Sequence, residues 1–163
     1  MGSLSADHRQ RIALLEAIAV RYKLALWMPD LGAVTADSPL RACYQGQAFG
    51  RAVYEIMRRS RITLNTHVGA ARGQAANMRH FEATGVGTFL LTDNKIKLSD
   101  LFEPGVEAVS YDSPEDALAK ISRYLENDAE RQAIARAGQQ RTLSTHTYYQ
   151  RTAQILDYVQ RYS

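Results

Sequence analysis

The densest chemistry in this chain lies in one stretch, Thr66-His67-Val68-Gly69-Ala70-Ala71-Arg72-Gly73-Gln74-Ala75-Ala76-Asn77-Met78-Arg79-His80-Phe81-Glu82. It joins a glycine-bearing loop and two arginines to the start of a helix. Free backbone N–H groups in the first turn, near Asn77 and Met78, aim partial positive charge at an anion, and Arg79 adds a full charge. That combination suits a phosphate. Glu82 follows Arg79 by three residues on the same helical face, where a carboxylate repels phosphate but accepts hydrogen bonds from sugar hydroxyls. The two together point to a ligand with both groups. The plainer alternative is an i,i+3 surface ion pair, worth a few tenths of a kcal/mol. His67 and His146 are candidate general bases, although isolated histidines more often satisfy structural hydrogen bonds. The four histidines, His8, His67, His80 and His146, lack metal-ligand spacing, so no metal is expected. No P-loop, GxSxG or complete GxGxxG occurs, which removes the usual signatures of nucleotide hydrolysis, serine hydrolysis and dinucleotide redox chemistry.

Short apolar strands alternating with helices must hold that stretch. Ile12, Leu14, Leu15 and Ile18 predict a helix over 8–21, and Lys23 to Met28, stopped by Pro29-Asp30, reads as a buried strand. Turn formers fill Leu31 to Pro39, and Tyr44-Gln45-Gly46-Gln47 makes a second loop. Phe49, Val53, Ile56 and Met57 predict an amphipathic helix over 48–59 with Arg51, Glu55 and Arg58 outward. Strands follow at 61–65, 88–92 and 107–111, with a helix over about 75–84 and a helical turn at 98–102 between them. Asp112-Ser113-Pro114-Glu115 is a capped helix start, with proline near the first helical position and acids in the first turn. Beyond it the chain is helical. Leu118, Ile121 and Leu125 mark one helix, Ile134 a second, and Ile155, Leu156 and Val159 a third, on which Tyr148, Tyr149, Tyr158 and Tyr162 read as a packing face. The alternation predicts an α/β fold with a parallel sheet and a helical C-terminal segment. In such sheets ligands bind outside the carboxyl ends of the strands, where the Thr66–Glu82 stretch begins.

Composition narrows the classes further. The 163 residues are 45% hydrophobic and 23% charged, with 20 Lys plus Arg against 17 Asp plus Glu, a soluble-domain profile of net charge +3 that predicts one domain over 1–163. The cations are interleaved with acids apart from Arg58-Arg59-Ser60-Arg61, which argues against a nucleic-acid partner. No apolar run approaches the roughly 20 residues of a membrane span. A single cysteine, Cys43, rules out an intramolecular disulfide and favours a reducing, cytoplasmic setting.

The run Asn77 to Gly85, then Phe89-Leu90-Leu91-Thr92-Asp93, then Leu101-Phe102-Glu103-Pro104-Gly105-Val106-Glu107, and finally His146-Thr147-Tyr148 with Arg151, resembles the CgeB-like branch of group 1 glycosyltransferases. The resemblance covers nearly the whole chain. It implies a Rossmann-like parallel sheet flanked by helices, the C-terminal, donor-binding lobe of a GT-B enzyme that transfers a sugar from a nucleotide diphosphate-sugar to an acceptor hydroxyl with retention. It implies Glu82 as the residue that takes the ribose hydroxyls. Arg79 and Glu82 then form the catalytic pair, the arginine stabilising the leaving diphosphate and the glutamate positioning the donor. The helix-start amides of Asn77 and Met78 fall at the diphosphate, and the loop with Gly46 and Gln47 falls beside the base. His67, Gly69, Arg72, Gly73 and Gln74 complete the implied donor site. Gln74 departs from the family's E-x7-E pair, since counting back eight from Glu82 reaches an uncharged side chain. No cofactor or metal is implied, because fixed cations and helix dipoles can take the metal's place. Gly2 to Arg9 looks like the lobe's opening loop without its strand, so the resemblance implies a piece of a two-lobe enzyme whose partners are the nucleotide-sugar, an unknown acceptor and the acceptor lobe. The competing reading is a non-catalytic Rossmann-like ligand-binding or assembly domain.

Overall fold

The structure is a computed structural model that describes residues 8–67 and 77–162. They fall into two compact units, divided between Ile56 and Met57.

In the first unit, helix α1 (Arg9–Arg21) buries Leu14, Leu15 and Ile18, the apolar positions of its periodicity. A short helix, α2 (Leu40–Cys43), packs beside it, and Glu16 of α1 accepts a hydrogen bond from Ser38 Oγ at 2.5 Å. The expected strand at Lys23–Met28 does not form. Leu26 and Tyr44 make only an isolated parallel bridge, with Leu26 N donating to Cys43 O at 2.9 Å and Gln45 N to Leu26 O at 2.8 Å. Pro29 on one side and Gly46, at φ +90°, on the other stop the ladder before it lengthens. Helix α3 (Arg51–Arg59) begins later than its periodicity suggested. Gly50, at φ +54°, turns the chain just before it and leaves Phe49 exposed outside the helix.

The second unit is a three-stranded parallel sheet in the order β1 (Ile62–Asn65), β2 (Phe89–Asp93), β3 (Val109–Tyr111). Each successive pair is joined through a helical segment, α4 (Met78–Gly85) and then α5 (Leu98–Leu101). β2 is central and buried along its whole length, which explains its unbroken Phe89-Leu90-Leu91 run. The register pairs Asn65 with Thr92 and Asp93 with Tyr111, so the polar carboxyl ends of the strands lie level. Ser113 caps α6 (Pro114–Glu126) by accepting the Asp116 amide at 3.1 Å, as the Asp112–Glu115 pattern predicted. Helix α7 (Asp128–Thr145) packs on α4. Gly138 allows that approach: a Cβ there would stand 2.2 Å from the carbonyl oxygen of Glu107. Thr84 and Thr142 close the helix pair with a hydroxyl contact of 2.6 Å. Helix α8 (Tyr148–Tyr162) ends the chain with no buried residue. Its tyrosines were expected to be a packing face, yet Tyr148, Tyr149, Tyr158 and Tyr162 are all exposed, because helical periodicity identifies an apolar stripe without supplying a surface to cover it.

Candidate functional site

At the carboxyl edge of the sheet the strands end in polar residues that are nonetheless buried: Asn65, Thr92 and Asp93. Buried polar groups need partners, and here they are one another. Asn65 Nδ2 donates to Thr92 Oγ1 at 3.0 Å and lies 3.2 Å from His80 Nε2. Asn65 Oδ1 accepts from Asn77 Nδ2 at 3.2 Å. The network therefore assigns His80 an acceptor Nε2 and a proton on Nδ1. Burial, reinforced by His67, pushes the His80 pKa down to about 4 against the pull of Asp93, so the ring is neutral at pH 7.

Beside it, His67 Nδ1 lies 2.6 Å from Asp93 Oδ1, and the His67 amide donates to the same oxygen at 3.0 Å. Lys95 Nζ stands 3.1 Å from the other Asp93 oxygen. Burial pushes the Asp93 carboxyl up, but the hydrogen bonds from the His67 ring and amide, the attraction of that ring and Lys95 outweigh it, and its pKa lies below the ordinary carboxylate value. The two imidazoles stack at a tilt, with centroids 4.9 Å apart. Tyr111, ending β3, places its hydroxyl 3.0 Å from Thr66 Oγ1.

Helix α4 starts over this cluster. Asn77 is its N-cap residue, but its side chain points to Asn65 and makes no capping hydrogen bond. Met78, the first helical residue, is exposed. Arg79 Nη1 stands 2.8 Å from Glu82 Oε2, with about four-fifths of each side chain buried, so this i,i+3 pair lies in a sheltered place where ion pairs exceed their surface worth. The angle is poor for a hydrogen bond, and Nη1 has no acceptor. Phe81 faces the other way and holds α4 to the C-terminal segment. His146 stacks on it at 5.0 Å, and Arg151 lies over its ring at 5.7 Å. His146 Nε2 donates to Leu101 O at 2.9 Å and its Nδ1 accepts from Arg151 Nη2 at 2.9 Å, so both ring nitrogens are committed to structure. A general-base role for His146 is thereby set aside.

Among the described residues, four buried side-chain atoms have no hydrogen-bond partner: His67 Nε2, Asn77 Oδ1, Arg79 Nη1 and His80 Nδ1. Those of His67, Asn77 and His80 belong to this one cluster, and Arg79 lies on the first turn of α4 beside Glu82. Such orphans are costly, which makes the carboxyl edge of the sheet the candidate site. Of the residues expected at the donor site, the structure places His67 and Asn77 in the polar cluster, pairs Arg79 with Glu82 on α4, and leaves Met78 exposed. Gly69, Arg72, Gly73 and Gln74 lie outside the described residues. Gly46 and Gln47 belong to the first unit, where the Gly46 carbonyl accepts the Met28 amide at 2.9 Å and Gln47 Nε2 donates to Pro29 O at 2.8 Å. Sequence reasoning missed Asn65, His80, Thr92, Asp93 and Lys95 as site residues. The available signal was the polar pair Thr92-Asp93 closing an otherwise apolar strand. Among the described residues no cluster of three or more His, Cys, Asp or Glu is placed to hold a metal ion, and no helix is long and apolar enough to cross a membrane.

A family profile described as glycosyl transferase-like matches residues 9–157. Among solved structures the chain is similar to HepE of Anabaena, determined in complex with UDP, with a TM-score of 0.63 and 13% identity over 98% of this chain. The match covers 39% of the HepE chain, so the present chain spans well under half of that protein's length. No curated protein matches.

Proposed function

Because the chain belongs to the glycosyl transferase-like family and has the α/β, Rossmann-like architecture of a GT-B lobe, we propose that it binds the nucleotide-sugar donor in a sugar transfer to an acceptor hydroxyl. The observation that carries this reading is the cluster of buried, unpartnered atoms of His67, Asn77 and His80 at the carboxyl edge of the parallel sheet, where α4 begins with Arg79 on its first turn. Ligands of such sheets bind at that edge. A diphosphate there meets the α4 amides and Arg79, while Glu82, freed from its ion pair, takes hydroxyls. The leaving diphosphate gains charge in the transition state, and one donor aimed at developing charge is typically worth about 2.7–4 kcal/mol. In this reading Arg79 stabilises the leaving group and Glu82 positions the ribose. Retention at the anomeric carbon, the CgeB-like branch and a cytoplasmic setting are the finer parts of the proposal and rest on the sequence resemblance and the single cysteine. UDP is the first nucleotide to try, since HepE was solved with it.

Calorimetric titration with UDP, GDP, ADP and dTDP, on the wild type and Glu82→Ala, tests the reading. Saturable binding of one nucleotide, weakened about tenfold or more by the substitution, is expected, because the glutamate's hydrogen bonds are charged. Absence of binding to any of the four by the folded chain refutes it. A second reading, an assembly domain without turnover, is favoured by one observation, the exposed apolar and aromatic residues of α8. Self-association together with no nucleotide binding is its expected signature.

A further inference from the structure

The two edge strands of the sheet are finished differently. Asn94 N donates to Tyr111 O at 2.8 Å, so in the alternation of a parallel ladder Thr92 and Asn94 bond toward β3 while Phe89 and Leu91 bond toward β1. On β3 the same alternation turns Ser110 outward, where its carbonyl accepts from Lys120 Nζ at 2.7 Å. That edge is three residues long and closed by a lysine, and both features keep an edge from pairing further. On β1 the residues in register with Phe89 and Leu91 are Ile62 and Leu64, and their N–H and C=O groups point away from β2. Among the described residues none of these four groups has a hydrogen-bond partner. The strand holds no charge or proline within Ile62-Thr63-Leu64-Asn65, and its first three residues are only half-buried, whereas β2 is buried throughout. Two donors and two acceptors alternating along an uncharged, half-buried edge match the backbone of another strand.

We propose that the outer edge of β1 pairs with a parallel strand that leads into α1 and is supplied by the part of the protein preceding these 163 residues. Its direction follows from the connections. α4 and α5 each lie between two parallel strands, as expected where a helix packed on a parallel sheet is reached from one strand and leads to the next. α1 leads to the extended segment at Leu26, which bridges Tyr44 in parallel, yet no strand precedes α1 among the described residues. Gly2-Ser3-Leu4-Ser5-Ala6-Asp7 is a run of small and turn-forming residues around one leucine, unlike the apolar runs of the strands. In doubly wound parallel sheets the strand that opens the fold pairs with the first strand of the second half, and β1, β2 and β3 stand side by side in that half's order. The match covers 39% of HepE, so a protein of that length has residues enough to supply the strand. The pairing concerns backbone groups outside the ligand site, so it is independent of the donor-lobe reading.

Amide hydrogen exchange and nuclear Overhauser contacts in the protein expressed from its complete coding sequence, beside the 163-residue chain, test the pairing. The Thr63 and Asn65 amides face β2 and should be protected in both. The Ile62 and Leu64 amides should exchange about tenfold or more slowly in the complete protein than in the shorter chain. In the complete protein they should also show contacts to a parallel strand whose residues precede these 163. Because the contacts need only the complete protein, they decide the matter even where the shorter chain does not fold. Ile62 and Leu64 amides left unprotected in the complete protein, equal rates for them in two folded chains, contacts only within the 163 residues, or antiparallel contacts to a second copy that vanish on dilution overturn the proposal. Titration of the complete protein with UDP, GDP, ADP and dTDP keeps the two readings apart. Nucleotide binding with an open β1 edge overturns the pairing alone, and a paired edge without nucleotide binding overturns the donor-lobe reading alone.

Discussion

Two glycines on either side of the same helix contact should respond in opposite directions to the same substitution. Gly138 lies in the interior of α7, where alanine alone would favour the helix by about 1 kcal/mol. Its added Cβ, however, would stand 2.2 Å from Glu107 O and 3.3 Å from Thr84 Cγ2. The first of these is backbone and cannot swing aside. The Glu107 amide is tied to Glu103 O at 2.9 Å, and the next residue's carbonyl accepts the Gly105 amide at 2.8 Å immediately before β3 begins. Relief requires α7 to retreat by more than an ångström, and overpacking of this kind costs typically about 1–3 kcal/mol, with a backbone clash at or beyond the upper end. The net expectation for Gly138→Ala is about 2 kcal/mol of destabilisation, a fall in Tm of about 4–8 °C for a chain of this size. Gly85, the last residue of α4, faces α7 from the other side, and its Cβ would meet only Thr142 Cγ2 at 3.6 Å, an ordinary contact. Gly85→Ala should be neutral or stabilising by up to about 1 kcal/mol through loss of unfolded-state freedom. Urea unfolding of the two variants beside the wild type measures the contrast. A Gly138→Ala chain as stable as the wild type would refute the close approach of α7 to the Glu107 backbone. Since α7 backs the helix that carries Arg79 and Glu82, the same variant should also weaken nucleotide binding.

Three further outcomes follow from the buried polar groups. His80 titrates at about 4 in the folded chain and near 6.5 in the unfolded chain, so the unfolded state binds the extra proton between those values. Stability is therefore whole above pH 6.5 and falls as the pH drops toward 4, by about 3 kcal/mol, and urea midpoints of His80→Gln should lose that slope. Thr84 Oγ1 donates to His80 O at 2.7 Å and meets Thr142 Oγ1 at 2.6 Å. Thr84→Val should cost about 1–3 kcal/mol by stranding the Thr142 hydroxyl, and Thr84→Val/Thr142→Val should recover part of it, which a double-mutant cycle of unfolding free energies reads directly. Arg151→Met removes the donor to His146 Nδ1 and the cation over Phe81, and should cost about 1–2 kcal/mol in the same unfolding assay with α8 the first helix to exchange its amides.

Much of the second unit was legible in the sequence. Its strands, the Ser113 cap and the succession of three C-terminal helices follow from local rules, apolar runs, turn formers and capping residues, that act over a few neighbours. The Arg79–Glu82 pair was legible for the same reason, since i,i+3 spacing on a helix needs no partner from elsewhere. The missed features depend on residues far apart in the chain. Lys23–Met28 carries a strand's composition but lacks a neighbour able to extend its ladder, and the tyrosines of α8 carry a core composition without a surface to bury them. The site shows the division most clearly. Sequence determined which residue types end each strand and start α4. Only the parallel register, with Asn65 beside Thr92 and the ends of β1 and β2 level, set His67 against Asp93, 26 positions away, and His80 against Asn65. The tautomer of His80, set by the Asn65 amide against its Nε2, belongs to that three-dimensional pairing, because a histidine's donor and acceptor are decided by what its other nitrogen touches.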